Sequence, residues 1–145
     1  MYGREQIMAL VPHGGAMCLW DEVVDWQADR IALRAGNHRD VDHPLRAGGQ
    51  LAAVHLCEYG AQAMAVHGGL LASGSGQAPA PGMLVALREV QLNVARIDDL
   101  DDMLEGRAEL LASGGGSQQY RFEIHHRGQL LASGRAAVML QLPTP

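Results

Sequence analysis

Apolar and polar positions change their period along the chain, and the changes mark the elements. Any helix begun over Arg4–Leu10 is broken by Pro12, Gly14 and Gly15. Cys18 to Trp26 mixes β-branched, aromatic and acidic residues and reads as a strand. Asp29 turns the chain, and Arg30-Ile31-Ala32-Leu33-Arg34 alternates as a half-buried strand does, so the two strands predict a hairpin. Gly36 to Gly49 has too many breakers for regular structure and gathers His38, Asp40, Asp42, His43 and Arg46 in one loop.

Gln50 to Gly68, QLAAVHLCEYGAQAMAVHG, is the clearest helix. It is rich in alanine and leucine and apolar nearly all round, which predicts a buried helix rather than a surface one. The Gly68-Gly69 pair is its expected stop, and GSGQAPAPG over 74–82 a flexible loop. The rest reads as β. Met83 to Ile97 is a long run with a polar centre at Arg88-Glu89, and Asp98, Asp99, Asp101 and Asp102 make a solvated turn. Glu105–Leu111 and Gln119–Ile124 alternate, Arg127-Gly128 signals a hairpin turn, and Leu130–Leu142 is a last strand. The order predicts one α+β domain over residues 1–145. In it an antiparallel sheet of five or six strands wraps one long central helix.

Composition narrows the function classes. The 145 residues suit one domain, and 48% apolar against 19% charged residues is globular composition. The net charge is -5, and all 11 basic residues are arginine, which argues against a nucleic-acid partner. Cys18 and Cys57 allow no disulfide framework or zinc pattern and are expected as reduced thiols. The opening MYGREQIMALVPHGG carries no basic leader followed by a long apolar run. The most apolar region, Gly48–Ala72, holds Gln50, His55, Glu58, Gln62 and His67, which argues against a membrane span. A cytoplasmic protein is expected.

Candidate chemistry centres on Glu58, the only acidic or arginine side chain between Gly48 and Ala72. A carboxylate in a buried helix costs several kcal/mol unless paired, and burial raises its pKa toward the range useful for proton transfer. The alternative is a wet helix face carrying Glu58. Gln62 lies one turn on and can orient the carboxylate, or simply sit beside it on the surface. His43, extended because it precedes Pro44, lies in the loop feeding the helix, where it can take or give a proton. An exposed loop histidine is the plain alternative. His55, three residues before Glu58, is the main rival, while His67 falls off that face. His125 and His126 flank a turn, His13 lies in the lead-in and His38 in the loop. A metal site from Asp40, Asp42 and His43 is weaker than simple solvation of that loop, and Cys57 is a packing residue rather than a nucleophile. No serine elbow, P-loop or dinucleotide-binding glycine pattern occurs.

The segment LVPHGGAMCLWDEVVDW resembles the opening of the hotdog-fold β-hydroxyacyl-acyl-carrier-protein dehydratases, through Pro12, His13, Leu19, Asp21 and Val23. Glu58-Tyr59-Gly60-Ala61-Gln62-Ala63 is similar to that family's Glu-Ala-Leu-Ala-Gln-Ala. The pattern is closer to a divergent branch found in fatty-acid-like and aryl-polyene pigment pathways. The resemblance implies a hotdog fold and loss of water from a 3-hydroxyacyl thioester, with an acyl carrier protein as partner and no cofactor. It places His43 and Glu58 as catalytic residues, supplied by opposite subunits of a homodimer or higher oligomer. Ala53 stands near the backbone donor that polarises the thioester carbonyl, and His55 and Gln62 near the substrate. The family's loop is His-Phe-Pro-Gly. Here His43-Pro44-Leu45-Arg46-Ala47-Gly48-Gly49 makes the spacing to the acid one residue longer. Two further readings remain: a thioesterase using Glu58 as base or nucleophile, and a non-catalytic acyl-binding subunit. The dimer is expected to form by edge-to-edge pairing of the Met83–Ile97 strand, since a small open sheet leaves an edge to cover.

Overall fold

The structure is a computed structural model and describes residues 1–11, 15–74 and 82–140. The lead-in residues Pro12 and His13, residues 75–81 of the loop expected over 74–82, and the last residues of the final strand, 141–142, lie outside the described residues; Gly74 itself ends a helix and Gly82 begins a strand. A strand β1 (Tyr2–Gly3) and a helix α1 (Arg4–Leu10) open the chain. The hairpin β2 (Glu22–Gln27) and β3 (Arg30–Ala35) follows, then the long helix α2 (Leu56–Gly74), entered through a 3-10 turn at Ala53–His55. Four long strands complete the chain: β4 (Gly82–Leu92), β5 (Leu104–Gly114), β6 (Ser117–His126) and β7 (Gln129–Leu140).

The strands form one antiparallel sheet of seven in the order β1-β2-β3-β5-β6-β7-β4. This is the expected hotdog arrangement. The seventh strand, beyond the five or six read from the pattern, is β1, too short at 2 residues to leave a periodic signal. The helix packs on β5 and β6, with Leu56, Tyr59, Ala63, Val66 and Leu70 in the core beside Trp20, Phe122 and Ile124. Arg127 and Gly128 make the expected hairpin turn, both with left-handed φ.

The helix boundaries shift for tertiary reasons. Its start is delayed because Ala52 bridges Arg96, with Ala53 N–H on the Ala95 carbonyl and Ile97 N–H on that of Leu51, at 2.9 Å each. It runs through Gly68-Gly69 because Gly69 lets α1 approach; a Cβ there would lie 2.8 Å from the Leu10 carbonyl oxygen. The same bridge ends β4 at Leu92 rather than Ile97. The acidic turn after it is not merely solvated. Asp98 accepts the Leu51 N–H at 2.9 Å and pairs with Arg96, and Arg127 reaches Asp101 at 3.2 Å.

Close approach of aromatic rings to backbone holds the layers together. A Cβ on Gly106 would sit 2.2 Å from the Trp20 ring, and one on Gly60 2.6 Å from Phe122. Trp20 is fully buried and has nowhere to move. Gly106→Ala should therefore lower unfolding free energy by about 1–3 kcal/mol, the usual cost of overpacking. An unchanged denaturant midpoint would show that the Trp20 ring can yield.

The expectation of a helix buried on all sides does not hold for the single chain. Val54 is 55% exposed, and Cys57, Glu58, Ala61 and Ala65 are half-buried along one strip. The sheet covers one side of α2, and α1 reaches its later turns through Gly69. The apolar composition of the uncovered strip matches β4, where Leu84, Leu87, Val90 and Leu92 are 39–42% exposed.

Candidate active site

Tight turns fix His43. Asn37–Arg39 is a 3-10 turn, and the N–H groups of Asp40, His43 and Arg46 each bond the carbonyl three residues back, at 3.0–3.2 Å. Gly48 and Gly49 then close a two-residue hairpin. Both have left-handed φ, at 58° and 75°, and Ala47 and Gln50 exchange both backbone bonds across it. The longer loop is thus used as a turn, and His43 is pressed against α2 with 5% of its surface exposed.

Both imidazole nitrogens are engaged. Nδ1 accepts the Leu45 N–H at 3.1 Å, and Nε2 lies 3.1 Å from the Tyr59 hydroxyl. That hydroxyl donates to Asn37 Oδ1 at 2.7 Å. With the Tyr59 proton directed at Asn37 and Nδ1 accepting, His43 carries its proton on Nε2. Burial holds the His43 pKa below the ordinary imidazole value of 6.5, with Asp40 opposing and His55, Arg46 and His38 reinforcing the shift. Tyr59 is fully buried, edge-on to Trp20 with ring centroids 5.4 Å apart, and its carbonyl accepts the Trp20 Nε1–H at 2.8 Å. Burial also pushes the Tyr59 hydroxyl well above the ordinary phenol range. His43 and Asn37 line a cavity of about 410 Å³ together with Arg4, Asp21, Asp40 and Asp42.

Glu58 lies in the first turn of α2, half-exposed in the single chain. Gln62 donates from Nε2 to Glu58 Oε1 at 3.1 Å and to the Met17 carbonyl at 2.8 Å, while its Oε1 accepts the Leu19 N–H at 2.9 Å. Both amide hydrogens of Gln62 are spent in this way. It holds Glu58, as the helix spacing suggested, and ties the segment before β2 to the helix.

The donor expected near Ala53 is not the Ala53 amide itself. Its N–H is held by the Ala95 carbonyl at 2.9 Å and is not free for a thioester oxygen. The next amide, that of Val54, has no backbone acceptor among the described residues and stands at the head of the helix. His55 closes the 3-10 turn half-exposed, near enough to His43 to disfavour its protonation.

Three of the other described histidines, His38, His67 and His126, have structural partners. His38 lies on the Leu100 carbonyl at 2.9 Å, and His67 is held between the Tyr120 hydroxyl at 2.7 Å and the Gln27 carbonyl at 2.8 Å. His126 accepts the Asp102 N–H at 3.2 Å. No cluster of three or more His, Cys, Asp or Glu suited to a metal ion occurs among the described residues, and burial raises both the Cys18 and Cys57 thiols. No described helix is long and apolar enough to cross a membrane.

Burial lowers the pKa of His38, His43 and His67 alike. Each therefore takes up a proton less readily when folded than in the unfolded chain, where protonation occurs near pH 6.5. Stability should therefore be level above that pH and fall as pH drops below it. Thermal melts between pH 8 and 5 test this, and a flat melting temperature across that range would contradict it.

Sequence reasoning missed Tyr59 and Asn37. The signal for Tyr59 lay in the chain, since it stands beside Glu58 where the similar family motif has alanine. Asn37 gave no signal, because only the fold brings it to the Tyr59 hydroxyl.

A family model for ApeP dehydratase, of the ApeP-like family, matches residues 5–142. The dehydratase heterocomplex ApeI:P from Xenorhabdus doucetiae is 24% identical, with a TM-score of 0.84, covering 94% of this chain and 91% of that one. AziG from S. sahachiroi is 17% identical, with a TM-score of 0.65 over 90% of this chain and 99% of its own. A hypothetical thioesterase from Streptococcus pneumoniae, solved with coenzyme A, is 14% identical, with a TM-score of 0.62 over 83% and 84%. At these identities the structures establish a shared fold. Among curated proteins none matches the chain in sequence.

Proposed function

The chain belongs to the ApeP-like dehydratase family, and we propose that it removes water from a 3-hydroxyacyl thioester carried on an acyl carrier protein. The product is the trans-2-enoyl thioester, an intermediate of fatty-acid-like or polyene chain building. His43 takes the C2 proton, the C2–C3 double bond forms as the C3–O bond breaks, and Glu58 gives a proton to the departing hydroxide. His43 then returns its proton to Glu58 through solvent, which resets both groups. The N–H of Val54 and the partial positive charge at the head of α2 stabilise the developing enolate.

The observation that carries this reading is the placement of His43: nearly buried, held in one orientation by Leu45 N–H and the Tyr59 hydroxyl, and bordering a cavity. Its Nδ1 keeps a lone pair, and the bond from Leu45 N–H gives way to the substrate proton. Glu58 belongs to a facing subunit. The open strip of α2 and the free edge of β4 support an assembly with a second hotdog chain. So does the Xenorhabdus doucetiae structure, which is a dehydratase heterocomplex. The decisive experiment incubates the purified protein with a 3-hydroxyacyl-loaded carrier protein and separates the products by mass. Loss of 18 mass units, the mass of water, is expected. Release of free hydroxy acid would favour the thioesterase, and an unaltered bound thioester the non-catalytic subunit.

A further inference from the structure

We infer that Tyr59, backed by Asn37, is the positioning residue that keeps the proton of His43 on Nε2 and so leaves Nδ1 as its basic atom; this rests on the reading of His43 as the base. The four groups form one directed chain. Leu45 N–H donates to Nδ1, Nε2–H donates to the Tyr59 oxygen, and Tyr59 O–H donates to Asn37 Oδ1. Each link fixes the direction of the next: Asn37 Oδ1 can only accept, so the Tyr59 hydroxyl spends its one proton there and accepts from Nε2, while the Nδ1 lone pair accepts the Leu45 N–H.

The logic is that of a base oriented by a third group, in which a partner on one ring nitrogen decides which atom is free for the proton in flight. A carboxylate usually holds that place. Here the partner is a phenol, which costs less to bury and still accepts from the imidazolium as positive charge develops. Its own acidity is suppressed, since burial raises the Tyr59 hydroxyl, so it stays a hydroxyl throughout. The ring is immobilised on its other side by Trp20 and sits 29° from parallel to the imidazole. Charges facing His43 from the neighbouring elements are Asp40 on its own loop, Arg46 beyond it, His38 from the 3-10 turn and His55 from the head of the helix. None of them bonds its ring nitrogens among the described residues, so Tyr59 and Leu45 N–H alone decide the tautomer.

The test is nitrogen NMR of histidine-labelled protein, with His43 assigned by the signals lost in His43→Ala. The wild-type ring should show a proton on Nε2 and a bare Nδ1. Tyr59→Phe should spread the proton over both nitrogens and lower kcat by about 10²-fold, the scale of a misplaced reacting group, with KM little changed. Asn37→Ala should act differently, because the freed Tyr59 O–H can then donate to Nε2, which moves part of the proton to Nδ1 against the bond from Leu45 N–H. It also serves should Tyr59→Phe not fold. Ring signals unchanged in both variants overturn the inference even where His43→Ala is inactive. Redistributed ring signals with a fully active His43→Ala would instead uphold the positioning and overturn His43 as the base.

Discussion

Replacing His43 with alanine should lower turnover of a 3-hydroxyacyl thioester by about 10²–10⁴-fold, and Glu58→Gln should do the same, the range typical for loss of a general acid or base. The two differ in their effect on stability. Glu58 is half-exposed and Gln can still accept the Gln62 N–H, so its melting temperature should stay close to wild type. The loop position of His43 suggests a cheap substitution, but the structure shows a nearly buried ring bonded to Tyr59 and Leu45. His43→Ala strands both groups and should cost about 1–3 kcal/mol, so turnover must be read well below its melting point. A mixture of the two inactive variants separates a shared site from a private one. If each site takes His43 from one copy and Glu58 from the other, half of the sites in a mixed dimer are intact. Random exchange should then restore about one quarter of the wild-type rate. No recovery after verified exchange would place both groups in one subunit. A dead His55→Ala beside an active His43→Ala would move the base to His55.

How much of this site could be read from the chain depends on where each signal comes from. Glu58 and Gln62 share a helix, so their bond follows from local geometry, and the structure has it at 3.1 Å. The hotdog arrangement was legible because an apolar helix set among alternating strands has few ways to pack. Three things were not legible. Gly68-Gly69 looks like a helix stop, yet Gly69 serves the contact with Leu10. The resemblance puts the backbone donor near Ala53, yet a bridge to the segment after β4 takes the Ala53 N–H. Asn37 and Tyr59 are 22 residues apart and meet only in three dimensions. The all-round apolar helix was the most instructive case. The pattern predicted burial all round, yet Val54 is exposed and Cys57, Glu58, Ala61 and Ala65 are half-buried in the single chain.

That surface gives the second expected result. The wild-type protein should be a dimer at micromolar concentration, and Leu87→Lys with Val90→Lys should make it a folded, inactive monomer. Among the described residues β4 bonds β7 along one side and is the last strand of the sheet, so its eleven residues have no strand partner there on the other side. Leu87 and Leu92 register with the buried Ala136 and Ala132, and Val90 lies toward Gly134 and Phe122. These side chains therefore face the helix layer, yet α2 leaves them about 40% exposed. In a monomer, lysines there would meet water and cost within about 0.5 kcal/mol. In a dimer each charge would be buried without a partner at a cost of several kcal/mol. At about 1.4 kcal/mol per tenfold, two of them should raise the dissociation constant by at least about 10³-fold. Circular dichroism would confirm that the variant keeps its fold, and light scattering would report its mass. A wild-type monomer, or a double variant that stays dimeric, would show that β4 is not the interface. If each site takes His43 from one copy and Glu58 from the other, as proposed, turnover should vanish with the dimer.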